Sequence, residues 1–278
     1  MRKISIIACL LILLVGSGCD NTVEPVVEDS SVRYVIYGFL DMRSETQVIR
    51  VEVLRPTILA EGDELDGVEV TVSDEETGQR YVMTDSVGTA QDGSAVALYV
   101  ARFLPEPGHR YRLEVARPGE VGTVATTQIP PEPVFFRDAP VGGLSDMTQT
   151  VRFGGINGRP GHFVMHYTVA APNGEDTTHV QVNYGDIVQG PVQDLSFPVE
   201  YFADRFIVMN SLGLDVTDVG VRLRRLELSF DIPSAEWYLL ESTNIVRGHG
   251  FFAAIGRYSV SWRLDSSKVF ELGWIDEQ

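Results

Sequence analysis

Positive charge is the scarcest feature of this sequence. Its 278 residues contain 22 Lys and Arg against 39 Asp and Glu, which gives a formal net charge of −17. Lys3 and Lys268 are its only lysines. Binding to nucleic-acid phosphates or to anionic lipid requires a basic face. The composition therefore excludes a general nucleic-acid partner and disfavours electrostatic docking to anionic membranes.

Cysteine is equally scarce, because Cys9 and Cys19 are the only two. Cys9 lies in an apolar segment that we expect to be removed, which leaves Cys19 as the single cysteine of the mature chain. Exported proteins normally use cysteines in pairs. A lone cysteine needs another role, and no disulfide is expected to stabilise the mature fold.

Long apolar runs are missing as well. Residues 4–15 are almost wholly apolar, but a bilayer-spanning helix needs roughly 20 such residues. Arg2 and Lys3 precede this segment and the small residues 16–18 follow it, an arrangement typical of a secretory signal peptide. Cys19 comes next, and small residues directly before a cysteine resemble the lipobox of bacterial lipoproteins.

The lipobox resemblance implies that the chain is cut before Cys19 and that this cysteine is acylated. Several acyl chains would then anchor the protein firmly in a membrane. Gly16 departs from the pattern, in which Leu or Val is more usual at that position. The alternative is an ordinary signal peptide followed by an incidental cysteine. We interpret residues 1–18 as a lipoprotein signal peptide and residues 19–31 as a lipid-anchored tether.

Alternation of apolar and polar residues dominates the sequence after the tether. It predicts β-strands that bury one face. The clearest apolar rows are Ile49, Val51 and Val53; Val68, Val70 and Val72; and Tyr111, Leu113 and Val115. Further strands are predicted at 32–40, 79–84, 95–103 and 122–128. Seven short strands within about 100 residues predict an immunoglobulin-like or prealbumin-like β-sandwich over residues 32–129.

A short motif series supports the sandwich. Gly67 begins a G-x-x-V-x-V pattern, Thr77 and Gly78 form a T-G turn, and Pro107 begins a P-G-x-x-Y-x-L-x-V strand. Over residues 65–119 this resembles the prealbumin-like and carboxypeptidase-regulatory-like sandwich modules. The resemblance implies a fold and no activity.

Residues 129–133 interrupt the alternation with three prolines, which indicates a connector between domains. Alternation resumes afterwards and predicts a second β-rich domain at 134–278. One short helix is expected near 234–242, because Ser234 is a good N-cap and the following residues favour helix. This helix would place Trp237 in the core. The predicted fold class is all-β, with one short helix in the second domain.

The C-terminal part carries a second resemblance. Asn244 and Ile245, the glycine-aromatic stretch 250–254 and the strand start at Tyr258 resemble the end of a group of Bacteroidota outer-membrane lipoproteins labelled as a domain of unknown function. Residues 34–40 resemble the first strand of that group. The family implies a cell-envelope location, often beside outer-membrane nutrient transporters, and no established activity or site residues.

Chemistry-bearing motifs are few. His162 and His166 resemble an H-x-x-x-H metal pair, but on a strand they would lie roughly 13 Å apart, too far to share one zinc ion. His109 and His249 are expected in exposed loops. The acidic loops at 61–67 and 74–76 are expected to be solvated hairpin turns, with calcium binding left open. We predict no catalytic residue, no metal site and no cofactor.

Arginine is locally concentrated near the end of the chain, at Arg222, Arg224, Arg225, Arg257 and Arg263. Two interpretations are open. The arginines neutralise neighbouring acids, or Arg222, Arg224, Arg257 and Arg263 form a docking patch for an anionic partner.

The favoured functional hypothesis is a lipid-anchored protein of the outer membrane, exposed to the periplasm or the cell surface. It would bind or scaffold beside an outer-membrane transporter without catalysis. A glycan-binding or adhesin-like surface protein is the first alternative. An envelope hydrolase is the second, and two carboxylates about 5–10 Å apart in a cleft would favour it.

Overall fold

The structure is a computed structural model that describes residues 33–54, 65–89, 93, 95–172, 174–185, 192–238 and 244–278. The predicted signal peptide, Cys19 and the tether lie outside these residues, as does the start of the acidic loop at 61–67. In the described part of the chain, no helix is long and apolar enough to cross a membrane.

Seven strands come first, and each corresponds to a strand predicted from alternation. They are β1 (Tyr34–Asp41), β2 (Thr46–Val53), β3 (Glu69–Asp74), β4 (Arg80–Thr89), β5 (Ala95–Arg102), β6 (Arg110–Ala116) and β7 (Thr123–Gln128).

These strands form a two-layered sandwich in which β4 turns from one layer into the other. Residues 80–83 pair with β3, whereas residues 84–89 pair with β5. One layer therefore contains β1, β2 and β5, and the other contains β3, β6 and β7. Alternate side chains from both layers, such as Ile36 and Leu113, are fully buried between them and form the first core.

Most of the remaining elements form a second β-rich region, although residues 245–246 pair with β7 of the first. The remaining elements are β8 (Val134–Arg137), β9 (Thr148–Gly158), β10 (Gly161–Ala170), β11 (Thr177–Gly185), β12 (Val192–Glu200), α1 (Tyr201–Ser211), β13 (Val221–Pro233), a 3-10 helix (Ala235–Tyr238), β14 (Ile245–Val246), β15 (Gly248–Trp262), α2 (Ser266–Glu271) and β16 (Trp274–Asp276).

The second core lies between a large sheet and a small one. The large sheet has the order β11-β10-β13-β15, with β16 parallel to β13, and the small sheet has the order β12-β9-β8. Aromatic rings fill the space between them. The ring centroids of Phe153 and Phe230 lie 4.5 Å apart, and those of Phe163 and Phe197 lie 5.1 Å apart.

Strand β15 belongs to both cores. Residues 248–255 run parallel to β1, and residues 255–262 run antiparallel to β13. Phe252 is buried in the first core and Trp262 in the second. Gly250 has a φ of +110°, and a Cβ at this position would lie 2.0 Å from the carbonyl oxygen of Ile36. The sandwich predicted at 32–129 is therefore completed by a strand from the end of the chain.

The predicted all-β fold class is confirmed, but the helices differ from the prediction. Residues 235–238 form a single 3-10 turn, and residues 239–243 lie outside the described part. The Ser234 hydroxyl does not cap a helix, because it accepts a hydrogen bond from the Ala254 N–H at 3.0 Å. Helix α1, with eleven residues, was not predicted.

Candidate functional site

Four aromatic residues form a surface feature where β1, β15 and the 3-10 helix meet. Tyr37 and Phe39 point outward because Tyr34, Ile36 and Leu40 take the inward positions of β1, and they are 48% and 39% exposed. Phe251 lies opposite Tyr37 on β15. Trp237 packs its ring edge to face against Phe39 at 5.4 Å and against Phe251 at 5.2 Å. We call Tyr37, Phe39, Trp237 and Phe251 the aromatic strip.

The edge of the aromatic strip is charged. The Arg50 guanidinium lies 5.9 Å from the centre of the Tyr37 ring and also forms an ion pair with Glu52. Val48, which is exposed, lies opposite Phe39 on β2. The strip therefore combines an apolar centre with a cation at its rim. Trp237, expected in the core, is half-buried at the surface.

A small cleft of about 220 Å³ adjoins Trp237 and is lined by His162 and Asp231 among others. His162 adopts a left-handed backbone conformation with a φ of 54°. Burial raises the pKa of Asp231, although the charge of nearby Arg257 opposes this shift. His166 points elsewhere, with its Nε2 2.7 Å from the Ser229 hydroxyl. The structure thus gives the two histidines different neighbours.

His109 lies in a loop, as predicted, but its side chain is partly buried rather than exposed. Its Nδ1 lies 2.9 Å from Oδ2 of Asp74, which is 3% exposed. Burial acts to raise the pKa of Asp74, but the hydrogen bonds from His109 and from backbone N–H groups outweigh it and lower that pKa. The hydrogen bond to Asp74 in turn raises the pKa of His109. His249 is exposed as predicted, but it lies on strand β15 and not in a loop.

Asp74, Glu76 and His109 form the one group in the described residues whose ligand-type atoms lie within 4.8 Å of one another. These atoms already have partners. Asp74 Oδ1 accepts the Glu76 N–H, and Glu76 accepts the Arg110 N–H at 2.6 Å. The group ties the β3–β4 turn to the start of β6. Its hydrogen bonds are those of a structural connection, although its oxygen and nitrogen atoms are of a kind that divalent cations accept.

The predicted arginine patch is divided in the structure. Arg222 and Arg224 share Glu277, and Arg263 acts electrostatically on Asp276 of the same sheet edge. Arg257 lies elsewhere, with its Nε 3.0 Å from an Asp41 oxygen. Arg225, which lay outside the proposed patch, pairs with Glu227. The ion pairs favour the interpretation in which these arginines neutralise neighbouring acids.

Helix α1 buries two adjacent charged residues. Asp204 accepts hydrogen bonds from the hydroxyl groups of Tyr167 and Tyr184. Burial raises the pKa of Asp204 to about 6, because these neutral partners offset only part of the cost of desolvating the carboxylate. Arg205, the next residue, donates to the Asp218 carbonyl oxygen at 3.1 Å and forms no ion pair with a described residue.

Arg205 lies at the floor of an apolar groove of about 1040 Å³. The groove is lined by Phe202 of α1, the loop before β13, Phe270 of α2 and the segment around Trp274. Burial lowers the pKa of Arg205, although a guanidinium remains protonated in proteins. We call this feature the Arg205 groove.

Sequence reasoning missed both the aromatic strip and the Arg205 groove. Tyr37 and Phe39 could have been identified, since they occupy the outward positions of the strand predicted at 32–40. The Arg205 groove had no comparable local signal, because its lining residues come from four separate stretches of the chain.

Comparison with known proteins gives a family and no function. No curated protein matches the chain. A crystal structure of red sea bream transglutaminase is 13% identical with a TM-score of 0.23, and the alignment covers 84% of this chain and 32% of that one. The chain thus spans about a third of the transglutaminase.

A DUF3823 family protein from Parabacteroides merdae is 15% identical with a TM-score of 0.16, and the alignment covers 72% of this chain and 91% of that protein. TM-scores of 0.23 and 0.16 are too low to support a shared fold or function with either protein. Residues 20–190, more than half of the chain, match the family described as Domain of unknown function (DUF4249). The chain belongs to that family.

Proposed function

We propose that this chain is a non-catalytic envelope protein, anchored through Cys19, that docks a membrane protein partner through the aromatic strip. The partner we expect is an outer-membrane transporter. The observation that carries the proposal is the surface cluster of exposed Tyr37 and Phe39 and half-buried Trp237, with Arg50 at its rim. Protein interfaces concentrate their binding energy in aromatic and arginine side chains of this kind.

The geometry of the aromatic strip supports a protein partner. The Trp237 ring is inclined by 72° to Phe39 and by 78° to Phe251, so each ring supports the next at its edge. Rings that are held this way lose little conformational freedom on binding. Exposed apolar side chains that form a contiguous group with a polar rim are typical of interaction surfaces.

A pull-down from membranes solubilised in a mild detergent tests the docking. Tyr37→Ser with Phe39→Ser should reduce recovery of the partner about tenfold or more. The control is Val82→Ser with Val87→Ser, which removes two apolar side chains of β4 that are even more exposed and should leave recovery unchanged. Equal recovery with both double variants would refute docking through the aromatic strip.

The anchor has its own experiment. The short apolar segment 4–15 and the lone Cys19 support lipidation. Cys19→Ala should move the protein from the membrane fraction to the soluble fraction, because the chain would lose its acyl groups. Retention of this variant in membranes after a high-salt wash would contradict the anchor.

Glycan binding is the second candidate, and the cleft at His162 and Asp231 beside Trp237 favours it. The aromatic strip gives the glycan candidate little support. Its rings are steeply inclined to one another, whereas a sugar ring stacks on a flat aromatic face. Titration with soluble envelope polysaccharides separates the two candidates. A change in tryptophan fluorescence that Trp237→Phe abolishes would support the glycan candidate.

One observation bears on the hydrolase alternative. Asp41 and Asp231 both approach Arg257 Nε, at 3.0 and 4.0 Å. Burial raises the pKa of Asp231, the direction that a general acid requires, but Asp41 does not line the cleft that Asp231 lines. This arrangement gives the hydrolase less support than either binding candidate.

A further inference from the structure

We propose that the Arg205 groove binds a medium-chain carboxylic acid, with the carboxylate on Arg205 and the alkyl chain along the groove wall. This site is separate from the aromatic strip, so the inference goes beyond the proposed docking function.

The wall of the groove is mostly apolar, and its one acid, Glu271, is paired with Lys268. Phe270 and Val219 are among the most exposed large apolar side chains of the described residues, at 79% and 68%, and Leu144, Phe202 and Ile275 continue the surface. The volume of about 1040 Å³ lies at the upper end of the range for small-molecule sites. Such a wall suits an unbranched alkyl body.

The floor carries a charge that no described acid neutralises. Arg205 is 4% exposed, and its one described hydrogen bond runs from Nη2 to the Asp218 carbonyl oxygen. Its Nε finds no acceptor among the described residues. A guanidinium has five N–H donors. Burying it with so few partners is costly, and a carboxylate would reduce this cost through charge-assisted hydrogen bonds.

A second buried donor lies in the same lining. Trp274 is 1% exposed, and its Nε1 also finds no acceptor within the described part of the chain. Arg205 and Trp274 lie close together in space. A Cβ on Gly273, the residue before Trp274, would lie 3.5 Å from Nη2 of Arg205. Both of these N–H groups are themselves buried, so the feature that favours an acceptor-bearing ligand over a wholly apolar one is the charge of the Arg205 guanidinium in the lining.

Asp204 does not supply the missing anion. Its carboxylate is held by the hydroxyl groups of Tyr167 and Tyr184, and no ion pair joins it to Arg205. One guanidinium matches one carboxylate in a two-pronged arrangement. The ligand class that follows is a single carboxylate on an apolar chain.

Calorimetric titration with decanoate, 1-decanol and decylamine tests the head group. The protein is the full chain carrying Cys19→Ala in detergent-free buffer. Decanoate should bind at least about tenfold more tightly than 1-decanol, and decylamine should bind most weakly. From octanoate to dodecanoate the affinity should rise by up to about fourfold per methylene, the value for burying one CH₂ group.

Arg205→Met should bring decanoate binding down to the level of 1-decanol and leave 1-decanol binding unchanged. Arg205→Lys should retain an intermediate preference for the acid. Val219→Trp should block both ligands at the wall, whereas the control Val121→Trp, at a position 69% exposed in the β6–β7 turn, should block neither. Circular dichroism checks the fold of each variant.

Three results would overturn the proposal. The first is equal binding of decanoate and 1-decanol, and the second is decanoate binding that survives both Arg205→Met and Val219→Trp. The third is absence of decanoate binding at millimolar concentration. If Arg205→Met fails to fold, the comparison of Val219→Trp with Val121→Trp still decides whether the groove is the site.

Discussion

Among the described residues, each of the two β-rich regions has one deeply buried aspartate, and the pKa values of the two shift in opposite directions. Asp74, at the end of β3, is 3% exposed, and Asp204, in α1, is 2% exposed. The pKa of Asp74 is lowered, whereas that of Asp204 is raised to about 6. The exposed fractions are similar, but Asp204 lies among more protein atoms than Asp74, so both the cost of desolvation and the hydrogen-bond partners separate the two pKa values. A histidine and backbone N–H groups favour the carboxylate of Asp74, and two tyrosine hydroxyls are insufficient for Asp204.

The largest effect expected from this comparison is a pH dependence of stability that originates at Asp204. Its folded pKa of about 6 lies above the ordinary value of 3.8, so the folded state holds the proton more tightly. This contribution is fully present below pH 3.8 and is lost as the pH rises through about 6. The difference corresponds to about 3 kcal/mol of unfolding free energy.

Asp204→Asn should remove this dependence, because the amide keeps an acceptor oxygen and cannot ionise. Urea unfolding at pH 4 and at pH 6.5 measures the change in free energy for wild type and variant. Asp176→Asn, at an exposed position, is the control and should retain the wild-type slope. An identical slope in Asp204→Asn would show that another group causes it.

A smaller effect is expected at Asp74. Its folded pKa is lowered, so its contribution is present above pH 3.8 and is lost as the pH falls through the folded value. Asp74→Asn should cost about 1–2 kcal/mol at pH 6, because a charge-assisted hydrogen bond becomes a neutral one. The same variant should return the pKa of His109 toward 6.5, which an NMR titration of the imidazole measures. An imidazole pKa that stays at the wild-type value in this variant would show that Asp74 does not raise the pKa of His109.

The smallest effect belongs to His109. Its folded pKa is raised by Asp74, so its contribution is present below pH 6.5 and is lost as the pH rises through the folded value. We expect less than about 1 kcal/mol, since the imidazole is partly exposed and solvent screens the pair. His109→Asn should flatten the stability profile above neutral pH. A profile that is unchanged from wild type would mean that the pair contributes nothing measurable.

The strands were predictable because their signal is local. In β6, Tyr111, Leu113 and Val115 are buried, and the residues between them are exposed, which reproduces the alternation of the sequence. The pairing of β15 with β1 was not predictable in the same way. The two strands are separated by more than 200 residues, and a parallel pairing leaves no turn signal between them.

Helix α1 was missed for a specific reason. Its buried residues are Tyr201, Asp204, Arg205, Val208 and Met209, which have the spacing of a helical stripe. Two of the five residues are charged, so the sequence does not show the apolar stripe that predicts an amphipathic helix. The residues that satisfy Asp204 come from β10 and β11, and the aromatic strip likewise joins positions that only the fold brings together. Local patterns cannot report such contacts.

The central claim is that the aromatic strip meets a membrane protein, and a site-specific crosslink tests it most directly. A photoreactive p-benzoylphenylalanine would replace Tyr37 in one variant and Val87 in a control variant, and intact cells would be irradiated. We predict that position 37 yields one dominant crosslinked product, identified by mass spectrometry as an outer-membrane transporter, and that position 87 does not. No crosslink at position 37, or the same product from both positions, would contradict the account.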